Sequence, residues 1–291
     1  MKRRIIIIFA AILFLITAGC SYSNKQPHIV ATTAPVYAFT RTLCDNTPLH
    51  VEQLVQENVS CLHDYTLTVK HMKLLENADL VIISGGGLED FLDDALPKTK
   101  TIIDASDKIT LHCSEGAHDH HDGHRHDTDP HYWLSIENAK LMANSICDKL
   151  VSAYPEYCEI FERNLDKLSI QFDQLQNYAT TKLTNLNCRK IVTFHDGFSY
   201  MAEEFGLTIL HAIEEEAGSE ASAKDIIHIC NLVKNHSLPA VFIEKNSSSR
   251  SANVICSETG AALHCLDMAM SDSNYFEAMY HNIDTLKEAL G

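Results

Sequence analysis

The chain has 291 residues, 45% of them hydrophobic, and a formal net charge of −16. Such an acidic chain argues against a nucleic-acid partner, because phosphate binding requires a basic surface. It is compatible with a cation as ligand, and the length is sufficient for two globular lobes.

The N-terminus has the pattern of an export signal. A basic segment at residues 2–4 precedes an apolar run over residues 5–16, which is shorter than the ~20 residues that span a bilayer. Small residues then lead to Cys20, in a pattern that resembles the bacterial lipobox, where the cysteine carries the lipid. We therefore expect residues 1–20 to be a lipoprotein signal peptide and residues 21–27 a polar tether. An ordinary signal peptide or a single anchoring helix is the alternative, and each places the rest of the chain outside the cytoplasm.

The cysteines give little further information. None of the ten belongs to a C-x-x-C pair, which argues against a structural zinc ribbon. Export permits disulfides, but the pairing of the nine cysteines other than Cys20 cannot be read from the sequence.

Short apolar runs alternate with helical patterns in the first half of the chain. The predicted strands are residues 28–33, 50–55, 79–84 and 100–104, and helices are predicted to begin at Pro35 and near Thr66. This alternation is typical of a mostly parallel sheet covered by helices. We assign residues 28–135 to an N-terminal β/α lobe.

The middle of the chain, from residue 136 to about 186, has no strand signals. Pro155 divides it, and apolar residues then recur at spacings of three and four: Phe161, Leu165, Leu168, Phe172 and Leu175. This spacing predicts one amphipathic helix of about 30 residues, or roughly 45 Å. We assign residues 136–187 to a helical region that includes this helix, which is long enough to bridge two lobes.

Strand and helix patterns then alternate again. The predicted strands are residues 190–194, 207–210, 240–243 and 262–266, with helices over residues 222–236 and 248–258. Residues 188–291 are therefore expected to form a C-terminal β/α lobe. The predicted fold is α/β, with two β/α lobes of mostly parallel sheet joined by one long bridging helix and a metal site in the cleft between the lobes.

The segment over residues 112–131 is the richest in histidine. Aspartates are interleaved with its histidines, and this mixture suits Zn²⁺, Cu²⁺ and Ni²⁺. Its polar composition up to about residue 129 cannot build a core, so we expect a mobile loop over residues 112–129. It is interpreted as an accessory metal collector or sensor, with a solvated polar loop as the alternative. The accessory ligands would be His112, His118, His120, His121, His124 and His126.

Four other residues are candidates for a fixed metal site. His63 lies in the connection after the second strand, His131 ends the loop, and His195 and Asp267 directly follow predicted strands. Ligands in open α/β sheets lie outside the carboxyl ends of the strands, and three imidazoles with one carboxylate suit tetrahedral Zn²⁺. Spacing alone does not select these four from the 17 histidines, and Asp267 equally suits a helix N-cap.

A family resemblance does select them. Four phrases resemble the cluster A-I substrate-binding lipoproteins of bacterial ABC importers, the ZnuA and TroA type: residues 61–92, 129–140, 191–207 and 275–290. In that family a histidine in each of the first three phrases and an aspartate in a Leu-Asp step bind the metal. These match His63, His131, His195 and Asp267.

The resemblance implies a protein that captures Zn²⁺ and delivers it to a permease in the membrane. It also implies a lipid on Cys20, a place on the outer face of the bacterial cytoplasmic membrane or in the periplasm, and a monomeric state. Met268 and Ala269 follow Asp267 where the family usually has Pro-Leu. His264, Cys265 or a water molecule therefore stays open as the fourth ligand.

The choice of metal follows from the third ligand. Manganese-importing members tend to have glutamate where this chain has His195, and imidazole favours Zn²⁺ over the harder Mn²⁺. A Mn²⁺ or Fe²⁺ member of the same family is the nearest alternative. A zinc hydrolase with His63, His131 and His195 as ligands is another, although the sequence lacks H-E-x-x-H and G-x-S-x-G. A surface adhesin or metal store that uses only the histidine-rich segment is the third.

Overall fold

The computed structural model describes residues 26–56, 62, 65–92, 95–96, 100–113, 128–214, 221–270 and 274–291. The expectations for the signal peptide, Cys20 and His63 lie outside these residues, as do those for the loop histidines His118, His120, His121, His124 and His126. Every helix within the described ranges is too short or too polar to cross a membrane. The cysteines in the same ranges are free thiols.

The first sheet is built from four parallel strands in the order β2-β1-β3-β4. Their bounds are β1 His28–Ala31, β2 His50–Gln53, β3 Leu80–Ile83 and β4 Ile102–Asp104. Helix α1 (Ala34–Leu43) has Pro35 in its first turn, where a missing N–H costs nothing. Helix α2 (Val69–Asn77) begins three residues later than the sequence predicts, because the Thr68 side chain caps its first turn.

Two short strands and two long helices follow. Strands β5 (His112–Cys113) and β6 (Thr128–Asp129) form an antiparallel pair that the sequence analysis did not predict. Helix α3 (Ile136–Ala153) and the 26-residue helix α4 (Cys158–Leu183) confirm the division at Pro155. Helix α4 packs against α1, α3 and the final helix, as expected for a bridging helix.

The second sheet is also parallel, in the order β10-β9-β7-β8. Its strands are β7 Lys190–His195, β8 Thr208–Glu214, β9 Ala240–Glu244 and β10 Ala262–Leu266. The remaining helices are α5 Ser199–Phe205, α6 Ala223–His236, α7 Arg250–Thr259 and α8 Tyr275–Leu290. The predicted fold class, two mostly parallel sheets joined by a long helix, is therefore confirmed.

Two hydrophobic clusters fill the described part of the molecule. The larger cluster runs through the first sheet, the long helices and the inner face of the second sheet, and includes Phe39, Phe172 and Phe242. The smaller cluster covers the outer face of the second sheet and includes Val241 and Ile243. Side chains alternate along a strand, so β9 contributes to both clusters. We call them the main core and the outer core.

Candidate metal site

Two imidazole rings contact each other edge to face between the two sheets. The Nε2 atoms of His131 and His195 are 3.4 Å apart, and the rings are nearly perpendicular, at 88°. His131 is 2% exposed and His195 is 1% exposed. Zn–N bonds of 2.0–2.1 Å place two nitrogen ligands of a tetrahedral ion about 3.4 Å apart. The separation therefore fits two ligands of one ion.

The Asp129 carboxylate fixes the ring of His131. Its Oδ1 lies 2.8 Å from His131 Nδ1 and also accepts the His131 backbone N–H at 2.9 Å, while Oδ2 accepts a hydrogen bond from the Ser199 hydroxyl. Burial opposes ionisation of this carboxyl, but the hydrogen bonds from His131 and Ser199 outweigh burial and lower the pKa of Asp129. An ionised Asp129 assigns the proton to Nδ1, which leaves the lone pair of Nε2 directed towards His195.

A second carboxylate lies behind His195. Glu244 ends β9, next to β7 in the sheet, and its Oε2 lies 3.8 Å from His195 Nδ1. That distance is too long for a direct hydrogen bond, and the Glu244 side chain is buried, with 1% exposure. The sequence analysis missed Glu244 because it ended this strand at residue 243. The rule that selected His195, a polar residue at the carboxyl end of a strand, applies equally to Glu244.

Gly197 lets the two rings approach. A Cβ atom at this position would lie 2.8 Å from His195 Cδ2 and 3.0 Å from His131 Nδ1. It would also lie 2.8 Å from Met268 Cε. Any larger residue must displace at least one of these groups, so glycine is required here by close packing.

Asp267 follows β10 at the same edge of the sheet. Its backbone exchanges two hydrogen bonds with the Asn282 side chain of α8, at 2.7 and 2.8 Å. Its carboxylate accepts hydrogen bonds from the Lys245 ammonium at 2.9 Å and from the Ala269 backbone N–H at 2.8 Å. The competing candidate His264 lies inside β10, where its ring packs against Phe242. Asp267, not His264, occupies the strand-end position.

His112 is anchored to the fold. Its ring stacks on Tyr200 at a centroid distance of 3.9 Å, and its nitrogens lie 3.2 Å from Ser199 Oγ and 2.9 Å from Glu203 Oε2. Together with the pairing of β5 and β6, these contacts correct the bounds of the expected mobile loop at residues 112–113 and 128–129, while residues 114–127 lie outside the described residues. Both of its ends belong to ordered structure, because an aromatic stack and main-chain pairing hold them.

The chain matches a family model over residues 29–289, and the family is described as the zinc-uptake complex component A, periplasmic. The zinc-binding lipoprotein AdcA of Streptococcus pneumoniae strain R6 is 28% identical over 306 residues, covering 98% of this chain and 61% of AdcA. The chain thus spans about three fifths of that relative's length. A putative metal-binding protein of Treponema pallidum is 26% identical over 299 residues, covering 96% of this chain and 94% of the relative.

Solved structures agree on the fold. The crystal structure of ZnuA superposes with a TM-score of 0.79 at 24% sequence identity, covering 92% of this chain and 100% of that one. At this identity the likeness shows the fold alone.

Proposed function

Because the chain belongs to the zinc-uptake complex component A family, we propose that it is an extracytoplasmic solute-binding lipoprotein that captures Zn²⁺ and delivers it to the permease of an ABC importer. The proposed ligands are His63, His131, His195 and Asp267. The pneumococcal relative is named a zinc-binding lipoprotein, which supports Zn²⁺ as the cargo.

The pair of buried imidazoles is the observation that supports this proposal most directly. His131 and His195 come from different parts of the chain, and their Nε2 atoms lie at the separation that one tetrahedral Zn²⁺ ion requires. The Asp129 carboxylate lies behind the His131 ring at hydrogen-bond distance and fixes the orientation of this ligand. Imidazole also favours Zn²⁺ over Mn²⁺ and Fe²⁺.

Asp267, the proposed fourth ligand, forms an ion pair with a lysine. Lys245 binds the Asp267 carboxylate at 2.9 Å, and 42% of the lysine side chain is exposed to solvent. Zn²⁺ would take the place of this ammonium at the carboxylate, and the lysine would turn to water at little cost because it is half-exposed.

Carriage rather than catalysis is the role that a four-ligand site supports. Catalytic zinc keeps a position open for water, whereas a site closed by three imidazoles and one carboxylate does not activate water. We propose accordingly that the protein is not an enzyme. We propose further that it acts as a monomer held at the membrane by lipid on Cys20, with the histidine-rich segment as an accessory collector.

Titration calorimetry of the mature chain with Zn²⁺ tests the assignment. His131→Gln and His195→Gln should each weaken the tightest site by more than about 100-fold, because loss of a supporting outer partner alone costs 10–100-fold. His264→Gln is the matched control and should bind like wild type. Unchanged tight binding in either site variant would refute the proposed ligands, and preferential retention of Mn²⁺ over Zn²⁺ by wild type would refute the cargo.

X-ray absorption spectroscopy of the one-to-one zinc complex distinguishes a carrier from a hydrolase. Four protein ligands with no bound water are expected. Three ligands and a water molecule, accompanied by turnover of an ester substrate, would instead support the enzyme.

A further inference from the structure

A second group of potential metal ligands lies on the first sheet. His28, His50 and Glu52 place their ligand atoms within 4.8 Å of one another. Glu52 Oε2 lies close to both rings, 3.2 Å from His28 Nε2 and 3.9 Å from His50 Nε2. The rings stack with centroids 5.2 Å apart and planes inclined by 25°.

Strand register creates this group. His28 and His50 are paired residues on the adjacent parallel strands β1 and β2, so their side chains leave the same face of the sheet. Glu52 is two residues beyond His50 and returns to that face, because side chains alternate along a strand. Strand β2 is the edge of the sheet, which leaves one side of the group open to solvent.

The geometry is close to what a zinc ion needs. A Zn–N bond of about 2.0 Å and a Zn–O bond of about 2.1 Å place two ligands roughly 3.4 Å apart in a tetrahedron. The distance between His28 Nε2 and Glu52 Oε2 is already 3.2 Å. The His50 side chain is 61% exposed, and bringing its 3.9 Å separation from Glu52 to roughly 3.4 Å requires only about half an ångström of movement.

This group is separate from the cleft. His28 lies at the start of β1, at the amino end of the parallel strands. At their carboxyl end, the hydroxyl of Tyr132, the sequence neighbour of His131, donates a hydrogen bond to the Ser84 carbonyl just after β3. At a rise of about 3.3 Å per residue, the length of β1 alone separates the two regions by roughly 10 Å. An ion bound at His28 therefore shares no ligand with the histidine pair.

We infer that His28, His50 and Glu52 form a second, solvent-facing site for Zn²⁺ or a similar borderline divalent cation. Two imidazoles and a carboxylate supply three ligands, and water completes the coordination sphere. Fewer protein ligands and greater exposure make this site weaker than the cleft site. The bound ion would also link the edge strand β2 to β1, because its ligands come from both strands.

Histidine modification by diethylpyrocarbonate, read by mass spectrometry at each residue, tests the inference in the full chain. Zn²⁺ is added first to one equivalent and then to several. His131 and His195 are buried and should stay unreactive throughout, whereas His28 and His50 should lose reactivity together as Zn²⁺ rises. Glu52→Gln should abolish this joint protection.

Glu76→Gln is the matched control, since Glu76 is an exposed carboxylate on α2. It should protect like wild type. The absence of modification at the buried His131 and His195 in every variant confirms that the protein is folded. Continued reactivity of His50 at saturating Zn²⁺, or joint protection that survives Glu52→Gln, would overturn the second site, whatever the result in the cleft.

Discussion

At the scale of single residues, the candidate site is defined by what lies behind each imidazole. Asp129 fixes His131 through a buried hydrogen bond of 2.8 Å, and Glu244 stands 3.8 Å from the far nitrogen of His195. The Asp129 carboxylate orients the His131 ring without occupying the space between the rings. Ligand direction is thus set before any ion arrives, which lowers the entropic cost of binding.

Replacing His195 tests how ligand type sets metal preference. We expect His195→Glu to weaken Zn²⁺ binding and to shift relative preference towards Mn²⁺, because a carboxylate replaces one imidazole. The new carboxylate would also face Glu244, so the double change His195→Glu with Glu244→Gln should recover part of the lost affinity by removing a like charge. Competition between Zn²⁺ and Mn²⁺ measures both effects.

Asp267→Ala serves as the comparison for that experiment. It should weaken binding without changing the preference between metals, since it removes one oxygen ligand and leaves the imidazoles in place. Wild-type zinc affinity in His195→Glu would show that His195 is not a ligand.

Much of this arrangement was predictable from the sequence. The strand-end rule places His195 and Asp267 at the edge where the structure has them. It missed Glu244, because one further residue in a strand cannot be read from an apolar run. The role of Asp129 was also missed, because its neighbours in sequence are loop aspartates and only the fold reveals that it is buried beside His131. The assignment of His63, His131, His195 and Asp267 as metal ligands stays a prediction, and His63 lies outside the described residues.

At the scale of elements, a buried carboxylate joins the ends of two strands in the first sheet. Glu89 accepts hydrogen bonds from the Thr32 hydroxyl after β1 at 2.6 Å and from the Ser84 backbone after β3 at 2.7 Å. A third bond, of 2.9 Å, comes from the backbone of Gly85. Gly85 has a φ of +79°, and a Cβ there would lie 1.9 Å from Asp104 Oδ1. Glycine and glutamate together fix this turn.

Burial of Glu89 should make stability depend on pH. Desolvation raises the pKa of Glu89 from 4.5 to about 7, so between these values the native state holds a proton that the unfolded state has lost. The free energy of unfolding should therefore fall as pH rises through this window, by about 3 kcal/mol from this group, and stay level above it.

Denaturant unfolding at several pH values from 4.5 to 8 provides the measurement. Glu89→Gln, which cannot ionise, should show a correspondingly flatter profile, whereas the exposed control Glu76→Gln should follow wild type. Parallel profiles for wild type and Glu89→Gln would contradict the assignment.

The helices and strands were predicted correctly from the sequence where the hydrophobic pattern is strong. Helix α4 follows a stripe of buried residues that runs from Phe161 to Leu183, and strand β3 is a continuous apolar run. The pair β5 and β6 escaped prediction because each strand has two residues and the partners are separated by a long polar segment. Main-chain pairing across such a distance leaves no local pattern in the sequence.

At the scale of the whole molecule, hydrogen bonds tie the two sheets together around the site. Trp133 Nε1 donates to the carbonyl of Met268 at 2.9 Å, and the Tyr275 hydroxyl donates to the carbonyl of Trp133 at 2.9 Å. The Tyr200 hydroxyl donates to the carbonyl of Asp129 at 2.8 Å. All of these partners are buried, and helix α4 contacts both halves.

Metal binding should therefore change the overall shape very little. Flexible strand crossovers allow large hinge motions, whereas a continuous helix resists them. We expect small-angle scattering to show a change in radius of gyration below about 0.5 Å on adding Zn²⁺, against a value of about 18 Å for a compact chain of this size. A decrease of several ångströms would indicate that the two halves close like a hinge.

Under the proposed function, the separate outer core would allow the metal ion to be released by local opening, without a hinge motion of the two halves. Strand β7 turns Val192 and Phe194 into the outer core and Ile191 into the main core, and it ends at His195. Local opening of α6 and α7 would remove the packing behind this strand and loosen one ligand, while the main core stays intact. Amide hydrogen exchange in α6 and α7 should then be faster than in α4. Under the proposed function, the rate of metal release would be set by the frequency of local opening of α6 and α7.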